Sequence, residues 1–373
     1  MKTLRIFLAC FAGLLIGSPS AAIAAGPAPA APPIGSASGI LIDASSGKVL
    51  WGKEDRTLRE PASLTKVLTA LVVLENADLE GRVKVSPEAA ATRGSEIAAP
   101  PGLEMSVKDL LWGLLLESGN DAAVALAEKV SPDGTVGGFM KMANSKAAEI
   151  GAENTHFENP HGMHHPSHYS TARDLALITR AAMRNPAFAQ MVATRNHTVG
   201  WTKGVGRQLT NHHKMLWTHP GTVGVKTGFT NQAGHCLITA VTRGSDTLIA
   251  VVLGSPAHYR ESAALFDWGF ANLPALIAAA TDQVAIRQPA PPPGPAIDNQ
   301  PQIVQVAARG IAMLTGRPSA DGIILPAAYA ALAVGFTTFA AAFGFLGYAV
   351  IVRRRRVARS PMLTPELSSE LNV

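Results

Sequence analysis

Two apolar-rich runs open the folded part of the chain, Ser38–Asp43 and Lys48–Lys53. The tetrapeptide Ala44-Ser45-Ser46-Gly47 between them completes the pattern of a β-hairpin. From Ser63 the spacing turns helical, through Val67, Leu68, Leu71, Val72 and Leu74. A second helix is predicted over Val107–Leu116. Ser118-Gly119-Asn120 breaks it, and Asp121-Ala122 opens another that runs to about Val130. Gly137–Ile150 and Thr171–Arg184 read as further helices, the latter capped by Ser170 or Thr171. Strand patterns return at Val223–Thr227, Ala233–Thr242 and Thr247–Leu253, and a helix from Ala257 to about Leu273 closes the series. Strands at both ends with helices between predict one α+β domain over residues 38–275. Its antiparallel sheet would combine the first hairpin with the last three strands and carry helices on its faces.

The flanks have a different character. Lys2 and Arg5 precede an apolar run from Ile6 to Gly17 and a small-residue exit at Ala22-Ile23-Ala24, the layout of a secretory signal peptide over residues 1–24. A Pro/Ala/Gly linker spans residues 25–37, and a Pro-rich linker occupies 276–322. Residues 323–352 carry no charge, are long enough to cross a bilayer, and end on Arg353-Arg354-Arg355-Arg356. The positive-inside rule then places the basic tail 353–373 in the cytoplasm and the domain outside, which predicts a single-pass cell-membrane protein with an extracytoplasmic catalytic domain.

Charge changes meaning once the ends are separated. The net charge is +5, of which Lys2 and Arg5 supply two units and the tail three, from five arginines against Glu366 and Glu370. The exported part is neutral, so the chain offers no basic face for nucleic acid. Cys236 is alone once Cys10 leaves with the signal, and its apolar setting predicts a small buried hydrophobe.

Three short polar motifs carry the candidate chemistry. Ser63-Leu-Thr-Lys66 places a hydroxyl and an amine one turn apart on one helix face. A serine hydroxyl is a weak nucleophile until a neighbour takes its proton, which Lys66 does only as a neutral amine. Burial and a second cation both lower a lysine pKa, and Lys226 would be that cation if the sites converge. A second Ser-x-x-Lys, Ser45 to Lys48, falls in the hairpin turn, where Ser and Gly serve backbone geometry. Lys226-Thr227-Gly228 fits a strand edge lining a cleft, with a residue lacking a side chain where a substrate backbone approaches. Ser118-Gly-Asn120 falls at a helix break. There Ser118 would relay a proton between Lys66 and a leaving amine, and Asn120 would hold a substrate amide. Five histidines lie between His156 and His168, but no Cys or carboxylate spacing completes a familiar zinc set, so neither a metal nor another cofactor is expected.

The stretches Pro61-Ala-Ser-Leu-Thr-Lys66, Leu116-Glu-Ser-Gly-Asn-Asp-Ala122, His168-Tyr-Ser-Thr-Ala-Arg-Asp174 and Val223-Gly-Val-Lys-Thr-Gly228 resemble the low-molecular-mass penicillin-binding proteins that are serine-type D-alanyl-D-alanine carboxypeptidases. The resemblance covers about residues 37–275 and implies a β-lactamase/transpeptidase-like fold. It further implies that Ser63 attacks the carbonyl between the two terminal D-alanines of a peptidoglycan stem peptide, that water releases the acyl-enzyme, and that β-lactams acylate the same serine. It places an oxyanion hole at the backbone N–H groups of Ser63 and Phe229, and a carboxylate-binding arginine at Arg260, with Thr227 beside it. The chain departs from the family in two places. Many members carry an all-β second domain and an amphipathic membrane-surface helix, for which residues 276–322 leave little room, and Asn211-His-His213 replaces an Asn-rich segment.

Three alternatives stay open on the residues. A class A-type β-lactamase needs a general base for fast deacylation, with Glu153 and Glu158 in the right region. A D,D-endopeptidase or transpeptidase would use the same residues. A non-catalytic wall or β-lactam sensor is disfavoured by three intact motifs.

Overall fold

The computed structural model describes residues 30–201 and 204–280. The predicted signal peptide, membrane span and basic tail lie outside them, as does nearly all of the Pro-rich linker. In chain order the elements are β1 (Ser38–Asp43), β2 (Val49–Lys53), a 3-10 turn (Ala62–Thr65), α1 (Lys66–Asn76), β3 (Arg82–Lys84), α2 (Pro87–Ala90), β4 (Glu104–Ser106) and α3 (Val107–Leu116). Then follow α4 (Asn120–Val130), α5 (Val136–Glu149), α6 (Ala172–Ala182), α7 (Pro186–Ala193), β5 (Asn196–Gly200), β6 (Gly206–Thr210) and α8 (Met215–Thr218). The last are β7 (Thr222–Thr230), β8 (Gly234–Arg243), β9 (Asp246–Leu253), α9 (His258–Ala271) and α10 (Leu273–Ala279).

The first hairpin and the last three strands form one five-stranded sheet in the order β2-β1-β9-β8-β7. Every pairing is antiparallel; β1 lies against β9 with Ile40 opposite Val251 and Ile42 opposite Ile249. This is the predicted α+β architecture, and the reason is visible in the period-two pattern of the strands. Ile40, Ile42, Ile238, Ala240, Ile249 and Val251 face one core, shared with α1, α3, α4, α5 and α6. Leu41, Leu237, Val241, Leu248, Ala250 and Val252 face the other, filled by Leu265 and Phe266 of α9 and Leu273 and Leu276 of α10. With both faces covered, β1 and most of β8 and β9 must be apolar on both sides, and they are.

Local signals set the helix boundaries. Ser106 caps α3 and Thr171 caps α6, each accepting from the amide of an aspartate three residues on (Asp109 and Asp174) at 3.0 Å. Lys66 to Val73 of α1 are all buried, so this helix runs through the middle of the molecule. One expectation needs correcting. Ser63 does not sit on an α-helix but in the 3-10 turn before it, and α1 begins at Lys66. The three-residue spacing still aligns the two side chains, because residues i and i+3 eclipse in a 3-10 turn.

The decoy motif is where the hairpin reading puts it. The Asp43 carboxylate accepts from Ser45 Oγ and the Ser46 amide in the β1–β2 turn, and the Lys48 amine donates to the Ile277 carbonyl at 3.0 Å.

Candidate active site

The 3-10 turn carrying Ser63 is held between a loop and an edge strand. On one side, β7 passes so close that a Cβ on Gly228 would stand 3.0 Å from the Ser63 amide nitrogen and 3.3 Å from the Pro61 carbonyl. Glycine is therefore required by contact, not by a turn. On the other side, loop 156–170 crosses the turn, and a Cβ on Gly162 would fall 1.9 Å from the Ala62 carbonyl oxygen. Ala62 itself has φ +49°, in the left-handed region that L side chains resist.

Lys66 is fully buried, and its amine lies 2.8 Å from Ser63 Oγ, 2.7 Å from Asn120 Oδ1 and 2.8 Å from the His161 carbonyl. Burial is the main cause that holds this amine well below the ordinary lysine range; the Lys226 charge adds to it and Asp121 opposes it. Lys226, in the middle of β7, is also buried, and burial pulls it down to about 7. Its amine donates to the Thr227 carbonyl at 3.1 Å.

Ser118 follows the last turn of α3 with φ +62°, while the Gly119 amide reaches back to the Gly113 carbonyl at 3.1 Å. A serine thus occupies a left-handed helix-end position that glycine usually takes. Asn120 opens α4, and its side chain is spoken for: Oδ1 accepts from Lys66, and Nδ2 donates to the Arg93 carbonyl at 2.6 Å. These two partners fix which end of the amide is oxygen.

Two cavities meet at Ser63. One, of about 350 Å³, is bounded by Ser118, Thr227, Gly228, His212, Lys214 and Tyr259 among others. The other, of about 480 Å³, is bounded by Asn120, Met163, Phe229, Asn231 and Gln232 among others. Phe229 is 55% exposed and leans on His235, with ring centres 4.6 Å apart. Among the described residues no Asp or Glu lines either cavity. The cleft is open on both sides of Ser63, with room for a substrate segment on each.

The structure brings Ser63, Lys66, Ser118, Asn120, Thr227, Gly228 and Phe229 to this cleft, with Lys226 buried beneath it. It does not bring Arg260 into either lining. That side chain is exposed on the first turn of α9, whose neighbouring residues His258 and Tyr259 do line the cleft. Sequence reasoning missed Lys214, His258 and Tyr259, which local spacing does not connect to the motifs. Tyr259 ties its helix to the opposite wall by donating to the His212 carbonyl at 3.2 Å. The Asn211–His213 departure is accommodated: Asn211 braces the segment against the Val192 and Thr194 carbonyls, and His212 joins the lining.

His156 and His164 pair with Glu158 and Glu60 at 3.1 and 2.7 Å, and His168 turns inward. Among the described residues no group of three or more His, Cys, Asp or Glu side chains is arranged to hold a metal ion. Cys236 is buried, and its thiol is pushed up to about 11, an inert small hydrophobe as its setting predicts.

The family model for D-alanyl-D-alanine carboxypeptidase (peptidase family S11) matches residues 25–257. The chain belongs to this family. The D-alanyl-D-alanine carboxypeptidase DacB2 of Mycobacterium tuberculosis is 40% identical over 245 residues, 63% of this chain and 82% of that one. DacF of Bacillus subtilis is 35% identical over 243 residues, 63% of this chain, which spans 62% of that relative's length. Among solved structures, a penicillin-binding protein homolog from Mycobacterium tuberculosis superposes with a TM-score of 0.63 at 36% identity, covering 70% of this chain and 98% of that one. The Streptomyces K15 DD-transpeptidase gives 0.62 at 33%, covering 65% and 100%. The β-lactamase/transpeptidase-like fold expected from the motifs is therefore the one observed.

Proposed function

We propose that this S11-family member is a serine-type D-alanyl-D-alanine carboxypeptidase that trims peptidoglycan stem peptides through a Ser63 acyl-enzyme. The observation that carries this reading is the Lys66 amine, fully buried and surrounded by three oxygens. Two of them, Asn120 Oδ1 and the His161 carbonyl, only accept. A neutral amine has two hydrogens and one lone pair, so it satisfies both acceptors and turns its lone pair to Ser63 Oγ. Lys66 is then the base for Ser63. Asn120 acts first on Lys66, by orienting it.

Attack of Ser63 Oγ on the penultimate D-alanine carbonyl transfers the hydroxyl proton to Lys66 and places negative charge on the carbonyl oxygen. The Ser63 and Phe229 amides receive that oxygen; the close approach of β7 to Ser63 N supports this assignment. The C–N bond breaks as the leaving nitrogen takes a proton from Lys66 by way of Ser118. Water then adds to the ester, Ser63 recovers its proton, and the shortened peptide departs. Lys226 and Thr227 attract the terminal carboxylate, while Arg260, exposed on α9 and outside both linings, takes no part in this arrangement. β-Lactams acylate Ser63 in the same way.

The cleft disfavours a β-lactamase. Neither Glu153 nor Glu158 lines it, and the Glu158 carboxylate is engaged by His156, so among the described residues no carboxylate stands by to activate the deacylating water. The leader, the apolar segment 323–352 and its arginines support an extracytoplasmic domain anchored by a C-terminal span.

The test is D-alanine release from a Lys-D-Ala-D-Ala peptide by the full chain in detergent, beside Ser63→Ala and Lys66→Ala. Loss in both variants is expected; a Lys66→Ala enzyme at full rate would refute the base assignment. Protease protection of intact cells, with the tail shielded and the domain accessible, tests the topology.

A further inference from the structure

His168 belongs to none of the three motifs, yet it is 2% exposed and joined to the nucleophile turn by a buried chain of hydrogen bonds. Its Nε2 lies 2.8 Å from Thr65 Oγ1, and Thr65 Oγ1 lies 2.9 Å from the Ala62 carbonyl. Its Nδ1 accepts from the Glu158 amide at 3.1 Å, and its ring stacks on Phe157 with centres 4.8 Å apart.

The direction of every bond in this chain is determined. A carbonyl only accepts, so the single Thr65 hydrogen points to Ala62 O. Thr65 Oγ1 must then accept from the imidazole, so Nε2 carries the proton. Nδ1 faces an N–H donor and must be bare. The bonds therefore run one way, from the Glu158 N–H through His168 and Thr65 to the Ala62 carbonyl. Burial pushes the imidazole down to about 3, which agrees with a ring kept neutral.

The Ala62 carbonyl and the Ser63 N–H are the two ends of one planar peptide group. Fixing the carbonyl direction fixes the opposite direction of the N–H, and a hydrogen bond at one end of a peptide strengthens the donor at the other. We propose that His168 is a positioning residue that, through Thr65, aims and polarises the Ser63 N–H as an oxyanion-hole donor. This rests on the reading of Ser63 as nucleophile. The loop that carries His168 also brings the His161 carbonyl to Lys66 and the Pro160 carbonyl to Thr69, at 2.8 and 2.7 Å. One loop therefore registers both the base and the oxyanion donor.

The test uses the full chain in detergent and four variants: Thr65→Val, Thr65→Ser, His168→Phe and the Thr65→Val/His168→Phe double. The readouts are the rate constant for acylation by a β-lactam, its affinity before acylation, and the ester carbonyl stretch of the Ser63 adduct by infrared difference spectroscopy. Thr65→Val and His168→Phe are each expected to slow acylation by roughly 10- to 100-fold, less than full removal of an oxyanion donor, with affinity preserved. The ester band should move to higher wavenumber as polarisation is lost. Thr65→Ser should restore rate and band, and the double variant should be no slower than Thr65→Val. If His168→Phe does not fold, the Thr65 pair reads the same chain. An unchanged ester band in Thr65→Val, or a double variant that shows the product of two independent losses, overturns the proposal. If wild type forms no adduct that Ser63→Ala lacks, the nucleophile assignment fails instead.

Discussion

Replacing Gly228 by alanine isolates the close approach of β7 to the Ser63 amide in the proposed oxyanion hole. The new Cβ would stand 3.0 Å from Ser63 N, 3.2 Å from Ala62 Cβ and 3.3 Å from Pro61 O. Comfortable contacts to carbon lie near 3.5–4.0 Å, so β7 and the nucleophile turn must separate by about 0.5 Å. Two of the three obstructing atoms are backbone, in a turn already pinned by Gly162 and Thr65, so no side-chain rotation relieves the contact. Oxyanion donors act at about 2.7–3.1 Å, and a half-ångström opening takes one of them out of range. The expected result is acylation roughly 10²- to 10³-fold slower, about 2.7–4 kcal/mol on the barrier. Strain should cost about 1–3 kcal/mol of stability, which leaves a folded protein to assay. Stopped-flow acylation with a chromogenic cephalosporin, mass spectrometry of the Ser63 adduct and a urea titration measure all three. A folded Gly228→Ala enzyme that acylates within about 3-fold of wild type would refute the reasoning.

Further tests follow from the same geometry. The β-lactam acylation rate should fall at acid pH as Lys66 gains its proton. Asp121→Asn should move that limb to lower pH, because Asp121 raises the Lys66 value; a limb that stays in place or moves upward contradicts the assignment. The same variant weakens the acceptor for the Ile97 and Ala99 amides, at a cost of about 1–3 kcal/mol read from the urea midpoint. Lys226, at about 7 when folded against 10.5 unfolded, gives the unfolded chain the excess of bound protons between those values. Its contribution to stability therefore rises with pH there, by up to about 1.4 kcal/mol per unit. The measurement belongs between pH 7 and 9, because above 9 the raised Cys236 value acts with the opposite sign. Lys66, also depressed by burial, adds a slope of the same sign, so the Lys226 share is the part of the slope lost in Lys226→Met, and a slope unchanged by that substitution would refute the assignment. Gly162→Ala combines a left-handed φ of +88° with the collision on the Ala62 carbonyl, and should destabilise by about 3 kcal/mol or more in a urea titration.

What the sequence determined by itself was local or periodic. The β1–β2 hairpin, the strands β7 to β9 and the helices α3 and α6 were legible because period-two or 3.6-residue patterns and cap residues act over a few positions. Ser63 and Lys66 were legible as a pair for the same reason, since three residues of separation align two side chains in either kind of helix. The polar, exposed β5–β6 hairpin was not, because its residues alternate without an apolar face to reveal it. Tertiary structure alone decided the rest. It took Ser63 off the helix and placed it in a strained turn, since a loop about a hundred residues later and a strand still further on clamp that turn from both sides. It turned one histidine of a cluster inward, to Thr65 across 103 positions, while His164 and His165 stayed at the surface. It left Arg260 exposed and brought Lys214, His258 and Tyr259 to the cleft. Such contacts join segments whose separation bears no relation to any repeat, so only the packing of the sheet against its helices specifies them.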